Sequence, residues 1–272
     1  MARDVTASDS ARSAPRRPRW RGALAALALS AAVPLGGCAG DATGFGLNLV
    51  SQEQLADMGR TTWARTVQET PPSRDQRLTA AAREVSARIL KAAGQNASAW
   101  EVRVFASPEA NAFALPGNKI GVYEGMFGVA KNEAQLAAVL GHEVAHNLLE
   151  HAAQRVSTQI ATEAGTQILG SALAIGGLGG AEELAALLGA GAQYGLILPY
   201  SRNQELEADR IGLRLMAQAG YDPRAAVELW RNMAEAGARQ PEFLSTHPGP
   251  ENRIRQLEGL MPEALAVYQA AQ

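Results

Sequence analysis

The 272-residue chain holds 25 Lys and Arg against 27 Asp and Glu, a formal net charge of −2, and that length suffices for one large domain or two small ones. Six Arg and two Asp fall in residues 1–37, so residues 38–272 carry 19 basic and 25 acidic side chains, a net −6 with no electrostatic footprint for nucleic acid. The single Cys excludes an internal disulfide framework.

At the N-terminus a basic segment (Arg12, Arg16, Arg17, Arg19, Arg21) precedes an apolar run from Gly22 to Gly37. At about sixteen residues that run is short for a bilayer span of roughly 20, and its flanks are those of a signal peptide. It ends in Leu35-Gly36-Gly37-Cys38, which resembles the lipobox of bacterial lipoproteins: a large apolar residue, two small ones and the Cys that takes the lipid. The chain's one Cys stands at the one position this pattern requires. Residues 1–37 are therefore expected as a lipoprotein signal peptide, Cys38 as the lipidated residue, and residues 38–50 as a Gly-rich tether. Ala39 rather than Asp follows Cys38, which in lipobox proteins resembles sorting to the outer membrane.

From residue 51 the chain reads as one domain to residue 262, with residues 263–272 as a tail. Ser51 and Gln54 predict a capped helix to about Glu69, stopped by Pro71-Pro72. A second helix, Ser73 to about Ala93, closes at Gly94. The period then changes from helical to alternating. Trp100–Phe105, Asn111–Leu115 and Lys119–Tyr123 read as three strands, the last two joined through Pro116-Gly117-Asn118. An exposed strand of this sheet can hold a peptide through its main chain or can simply cover the next helix.

That helix carries the chemistry. Val139-Leu140-Gly141-His142-Glu143-Val144-Ala145-His146-Asn147-Leu148 contains His-Glu-x-x-His, preceded by an Asn132/Gln135 capping pair and framed by apolar residues at helical spacing. Positions four apart share a helix face, so His142 and His146 can direct two ring nitrogens at one metal ion, with Glu143 beside them. This spacing is the signature of a zinc hydrolase. The helix is expected to run on to about Glu163. The Ala/Gly/Leu-rich stretch 165–198, interrupted by Glu182 and Glu183, is expected as two small-residue helices that pack tightly or form a lid, with membrane contact as the lesser reading.

A third ligand is required, and the helix starting at Ser201 offers one. Glu205 and Asp209, four apart, share a face; Glu205 completes a two-His, one-Glu set, and Asp209 is placed to accept the outer N–H of a ligand His. His151 stands five residues after His146, about 140° away on a continuing helix, which makes it a structural or supporting residue rather than a ligand. Ala152 and Leu149 occupy the positions where the metzincin pattern demands His and Gly. His247, in the loop Leu244–Pro250 before a last helix, is a candidate for the cleft, either stabilising an oxyanion or capping the metal in a resting state.

These residues resemble a known family. Leu136 through His146, Glu205-x-x-Ala208-Asp209, Ser201-Arg202 and Ser245-Thr246-His247-Pro248 are similar to the gluzincin metallopeptidases that include the HtpX heat-shock and CAAX prenyl proteases. Asn111, Ala112, Phe113 and Ala114 match the strand before the metal helix there, which makes them the expected substrate-binding strand. The nearest resemblance is to the periplasmic, lipoprotein-like members (the BepA and LoiP type), without the tetratricopeptide array of the former. The strand and helix pattern itself reads as an α+β fold, mainly helical, with a small, largely antiparallel sheet before the metal helix; the resemblance carries the activity. The resemblance also implies one Zn2+ held by His142, His146 and Glu205, with Glu143 as general base and acid. The expected activity is endopeptidase action on misfolded or unassembled envelope proteins in the periplasm, from a lipid anchor in the outer membrane. A rival of another class is a non-catalytic chaperone or assembly lipoprotein that binds clients in the same cleft.

Overall fold

The computed structural model describes residues 49–173, 199–235, 243–247 and 250–272. The leader with Cys38, the tether to Asn48 and residues 174–198 of the small-residue stretch lie outside the described residues.

Local capping starts the helices where the sequence predicts. Helix α1 (Gln52–Glu69) opens on a reciprocal cap, Ser51 Oγ accepting from the Gln54 N–H and Gln54 Oε1 accepting from the Ser51 N–H at 2.8 Å. Helix α2 (Gln76–Ala92) is capped by Asp75, two residues inside the expected start, and buries Val85, Ile89 and Leu90. Three strands follow: β1 (Glu101–Phe105), β2 (Ala112–Leu115) and β3 (Lys119–Tyr123).

The sheet is mixed rather than purely antiparallel. Its order is β1-β3-β2, with β2 antiparallel and β1 parallel to β3. Gly117 (φ 81) and Asn118 (φ 63) supply the two left-handed residues that a tight hairpin needs, so β2 and β3 pair antiparallel. The excursion through Ser107-Pro108 carries β2 to the outside, and β3 returns alongside β1. Strand β2 is thereby an edge. Phe105, Phe113, Tyr123 and Trp63 of α1 stack on one face of the sheet, with Phe113 and Phe105 centroids 6.3 Å apart. The other face, with Ala112, Ala114, Ile120 and Val122, joins the main core.

Among the described residues the remaining helices are α3 (Met126–Val129), α4 (Glu133–Leu148), α5 (His151–Leu173), α6 (Arg202–Gln218), α7 (Arg224–Glu235), α8 (Phe243–Thr246) and α9 (Pro250–Ala270). Helix α4 begins at the predicted Asn132 cap and is buried at every position from Gln135 to His146. It is the central post of the domain rather than an amphipathic helix with one wet side, surrounded by α2, α6, α7 and β2. The expected continuation to Glu163 does not occur as one helix. The helix stops at Leu148, Glu150 adopts φ 55, and α5 starts afresh. A one-turn helix, α8, stands in the expected Leu244–Pro250 loop. Residues 263–272, expected as a tail, continue α9 to Ala270, and Ala264 lies in the core. Among the described residues no helix is long and apolar enough to cross a membrane.

Helices α4 and α6 cross at a pair of glycines. A methyl group on Gly212 would stand 2.8 Å from the His142 backbone nitrogen, and one on Gly141 2.8 Å from the Gly212 carbonyl oxygen. The obstructing atoms are backbone and cannot move aside. Gly212→Ala gains about 1 kcal/mol of helix propensity, but overpacking costs about 1–3 kcal/mol. Net destabilisation and weaker zinc binding are expected, because α6 would be pushed away from α4; melting temperature and zinc content check both.

Candidate metal centre

With α4 wholly buried, its polar residues must find partners inside the protein. His142, Glu143 and His146 do so at the α4–α6 crossing, joined by Glu205 and Asp209 of α6 and by His247 just after α8; all six are buried. His142, His146, Glu205 and His247 converge on one point, Glu143 touches this group through His247 and Asp209 touches it through His142.

The geometry is convergent. His142 Nε2 lies 2.9 Å from His146 Nε2 and 3.1 Å from His247 Nδ1. Glu205 Oε1 lies 2.9 Å from His247 Nδ1 and 3.4 Å from His146 Nε2, while Glu205 Oε2 lies 3.5 Å from His142 Nε2. Tetrahedral ligands at about 2.1 Å from a zinc ion stand roughly 3.4 Å apart, so these spacings suit one such ion. Protonation supports the same fit. Burial, then the neighbouring His142, pushes His146 well below the usual imidazole range, leaving a neutral ring as a ligand must be. Burial alone would raise Glu205, but the facing His247 and the nearby rings of His142 and His146 outweigh it and hold the carboxyl far below its usual range. His142 runs the other way: burial and the Arg253 charge lower it, but its contacts with Asp209 and Glu205 outweigh them and raise it, so this ring gives up a proton when it takes an ion. The residues fit zinc.

His142 and His146 are each held from behind. Asp209 Oδ1 lies 3.2 Å from His142 Nδ1, and Arg253 Nη2 stands 2.8 Å from the same nitrogen. His151 Nδ1 lies 2.8 Å from His146 Nδ1, because the break at Glu150 turns it back beneath His146 instead of 140° away. The Tyr200 ring stacks on His146 at 3.7 Å between centroids, and the Arg155 guanidinium covers that ring at 3.5 Å. Burial pushes the Tyr200 hydroxyl up to about 12, so it stays neutral.

Arg253 of α9 has no counterpart in the sequence reading. It is 1% exposed, donates through Nε to Asp209 Oδ2 at 2.6 Å and through Nη1 to Glu205 Oε2 at 2.5 Å, and its Nη2 also meets Asp209 Oδ1. Its guanidinium lies 3.8 Å from the Trp230 ring centroid. The signal that finds it is a charge deficit: two carboxylates of α6 enter the core, and a permanent cation must follow.

The strand expected to receive substrate is β2, an edge of the sheet. In the β2–β3 ladder Asn111, Phe113 and Leu115 turn their backbone groups to β3, so those of Ala112 and Ala114 face the free edge. The Ala114 N–H donates to Glu143 Oε2 at 3.2 Å, and the Ala112 N–H to Asn111 Oδ1 at 2.9 Å. Phe113, by contrast, turns its ring into the aromatic cluster on the far side of the sheet. A cleft of about 300 Å³, lined by Leu55, Ala56, Ala114, Pro116, Asn147 and Tyr200, runs along this edge to His146.

The sequence profile of Peptidase family M48 matches residues 72–261, a span that contains all these groups. The chain belongs to peptidase family M48. Membership places it among metallopeptidases, and the ion of M48 peptidases is zinc, in keeping with the donor set here. It is 40% identical over 180 residues to mitochondrial metalloendopeptidase OMA1 of Schizosaccharomyces pombe, covering 65% of this chain and 51% of that protein. To metalloendopeptidase OMA1 of Bos taurus it is 39% identical over 179 residues, 62% of this chain and 34% of that protein. To the beta-barrel assembly-enhancing protease of Escherichia coli it is 30% identical over 223 residues, 79% of this chain and 45% of that protein. The chain thus spans between a third and a half of the length of these relatives.

Proposed function

We propose that this M48 member is a zinc endopeptidase of the bacterial cell envelope, anchored by lipid on Cys38 to the outer membrane, that hydrolyses misfolded or unassembled envelope proteins. The observation that carries the catalytic part is the convergence of His142, His146 and Glu205 beside the buried carboxylate of Glu143. The envelope part draws on the lipobox sequence and on the Escherichia coli relative, whose name refers to β-barrel assembly. Other relatives are mitochondrial by name, so the compartment rests chiefly on this chain's own leader.

In this reading His142, His146 and Glu205 hold the ion. Zinc, when bound, supplies Lewis acidity that polarises the scissile carbonyl and eases deprotonation of a water. Glu143 takes the proton as the water oxygen bonds to the carbonyl carbon, and returns it to the amine nitrogen as the C–N bond breaks. Asp209 keeps His142 in the tautomer that presents Nε2. The edge of β2 receives an extended substrate, Ala112 and Ala114 offering main-chain groups alongside the cleft.

His247 takes the position a fourth ligand would occupy, its Nδ1 in the cluster and its Nε2 3.2 Å from Glu143 Oε1. A catalytic zinc site keeps that position open. This placement favours capping of a resting centre over oxyanion binding, with His247 displaced when substrate enters.

Chelation tests the assignment. Stripping the metal is expected to abolish cleavage of an unfolded protein such as casein, and one equivalent of zinc to restore it in the wild type but not in His142→Ala. Undiminished cleavage by verified metal-free protein would end the proposal.

A further inference from the structure

We propose that His151 is the positioning residue for His146, fixing that ring's tautomer from behind and tying it to Glu207 of α6. The inference rests on the reading of His146 as a zinc ligand and adds to it a second supporting pair, parallel to His142 and Asp209.

Three observations carry it. First, the backbone makes an unusual turn to bring His151 into place. Glu150 is neither Gly nor Asn, yet it adopts φ 55, a conformation that costs such residues about 1–3 kcal/mol and persists only where surrounding contacts impose it. Those contacts are present: the Glu150 N–H donates to the Asn147 carbonyl at 3.1 Å, the Glu150 carbonyl accepts from the Gln154 N–H at 3.1 Å, and Gln52 Nε2 donates to Glu150 Oε1 at 2.7 Å. Second, His151 is fully buried, with both ring nitrogens near polar partners. Its Nδ1 faces His146 Nδ1 at 2.8 Å and its Nε2 faces Glu207 Oε2 at 3.2 Å. An imidazole retained only to fill space has no need of this pairing.

Third, one arrangement of protons satisfies the chain of contacts. His146 turns Nε2 toward His142 and Glu205, so a ligand lone pair there leaves its proton on Nδ1. That N–H then donates to His151 Nδ1. His151 in turn carries its proton on Nε2 and donates it to the Glu207 carboxylate, whose side chain is 58% exposed. Helix α6 thereby supplies three carboxylates with separate tasks: Glu205 toward the ion, Asp209 behind His142, and Glu207 behind His151.

Two nearly isosteric variants test this. The Oδ1 of an Asn at 151 can replace the acceptor at Nδ1, whereas the amide of a Gln reaches the Nε2 position and leaves Nδ1 without a substitute. Zinc affinity, measured by competition with a chelating dye, is expected to fall about 10–100-fold in His151→Gln and to be largely retained in His151→Asn. Equal affinities in the two variants, or no loss in His151→Gln, would overturn the proposal, since a purely packing role does not distinguish them. Should either variant fail to fold, nitrogen-15 spectra of the zinc-loaded wild type decide: His151 is expected as the Nε2–H tautomer, and an Nδ1–H tautomer excludes the proposed bond. A His146→Ala protein that keeps its zinc would instead remove the ligand reading on which the inference rests.

Discussion

Glu143→Gln is expected to lower the rate of casein cleavage by about 10²–10⁴-fold, the usual contribution of a general base and acid, while fold and zinc content stay at wild-type values. The geometry separates these outcomes. Glu143 is 2% exposed and lies outside the convergent donor set, so its charge is not needed to hold the ion. An amide has nearly the same shape and can still meet the Ala114 N–H through its oxygen. It cannot accept a proton from an attacking water. Full proteolysis by a pure, metal-verified Glu143→Gln sample would rule out this residue as the base. The same variant separates the enzyme from a client-binding chaperone. As a chaperone it would still complement a deletion strain; as a protease it would fail to, and its uncleaved substrates would accumulate or remain trapped on it. Their identities from envelope proteomics would define the substrates.

Features written in short stretches of sequence were legible, and those that depend on distant partners were not. Caps at Ser51, Asn132 and Ser201 lie within three residues of the groups they bond, so helix starts could be read directly. The spacing of His142 to His146 and of Glu205 to Asp209 likewise refers to one helical turn. Strand order is a different kind of fact. The hairpin of β2 and β3 follows from Gly117 and Asn118, but the parallel seat of β3 against β1 depends on where the excursion after Phe105 packs. The end of α4 escaped for a related reason. Leu149 and Glu150 carry neither Gly nor Pro, and the left-handed turn is imposed by contacts from α1 and the start of α5. A continuing helix was the correct inference from local propensity and the wrong one from tertiary structure. Arg253 is the extreme case, its carboxylate partners lying 44 and 48 residues away.

Removing that arginine is expected to have the largest effect on stability. Arg253→Met retains apolar bulk against Trp230 but leaves Asp209 and Glu205 without their cation. Breaking a buried ion pair in this way costs about 3–5 kcal/mol, because the abandoned charge stays out of water. Burial tends to raise the Asp209 carboxyl, and it is the Arg253 charge and hydrogen bonds that hold it below its usual range. Without them the carboxyl is driven toward its protonated form, which no longer serves His142 as a charged acceptor. Lys is no remedy, since a point charge cannot reproduce three donors aimed at two carboxylates. The loss should be greatest in the zinc-free protein. A bound cation partly neutralises Glu205 but leaves Asp209 exposed to the full deficit, so zinc should recover only part of the stability. Urea unfolding midpoints of both forms measure the two contributions, and Asp209→Asn in the Arg253→Met background should cost far less than the sum of the single changes. Strict additivity would show that the guanidinium and Asp209 do not act as a unit. Sub-additivity would make Arg253 the counter-charge that allows two carboxylates to enter the core, the proposed ligand Glu205 and its helix neighbour Asp209.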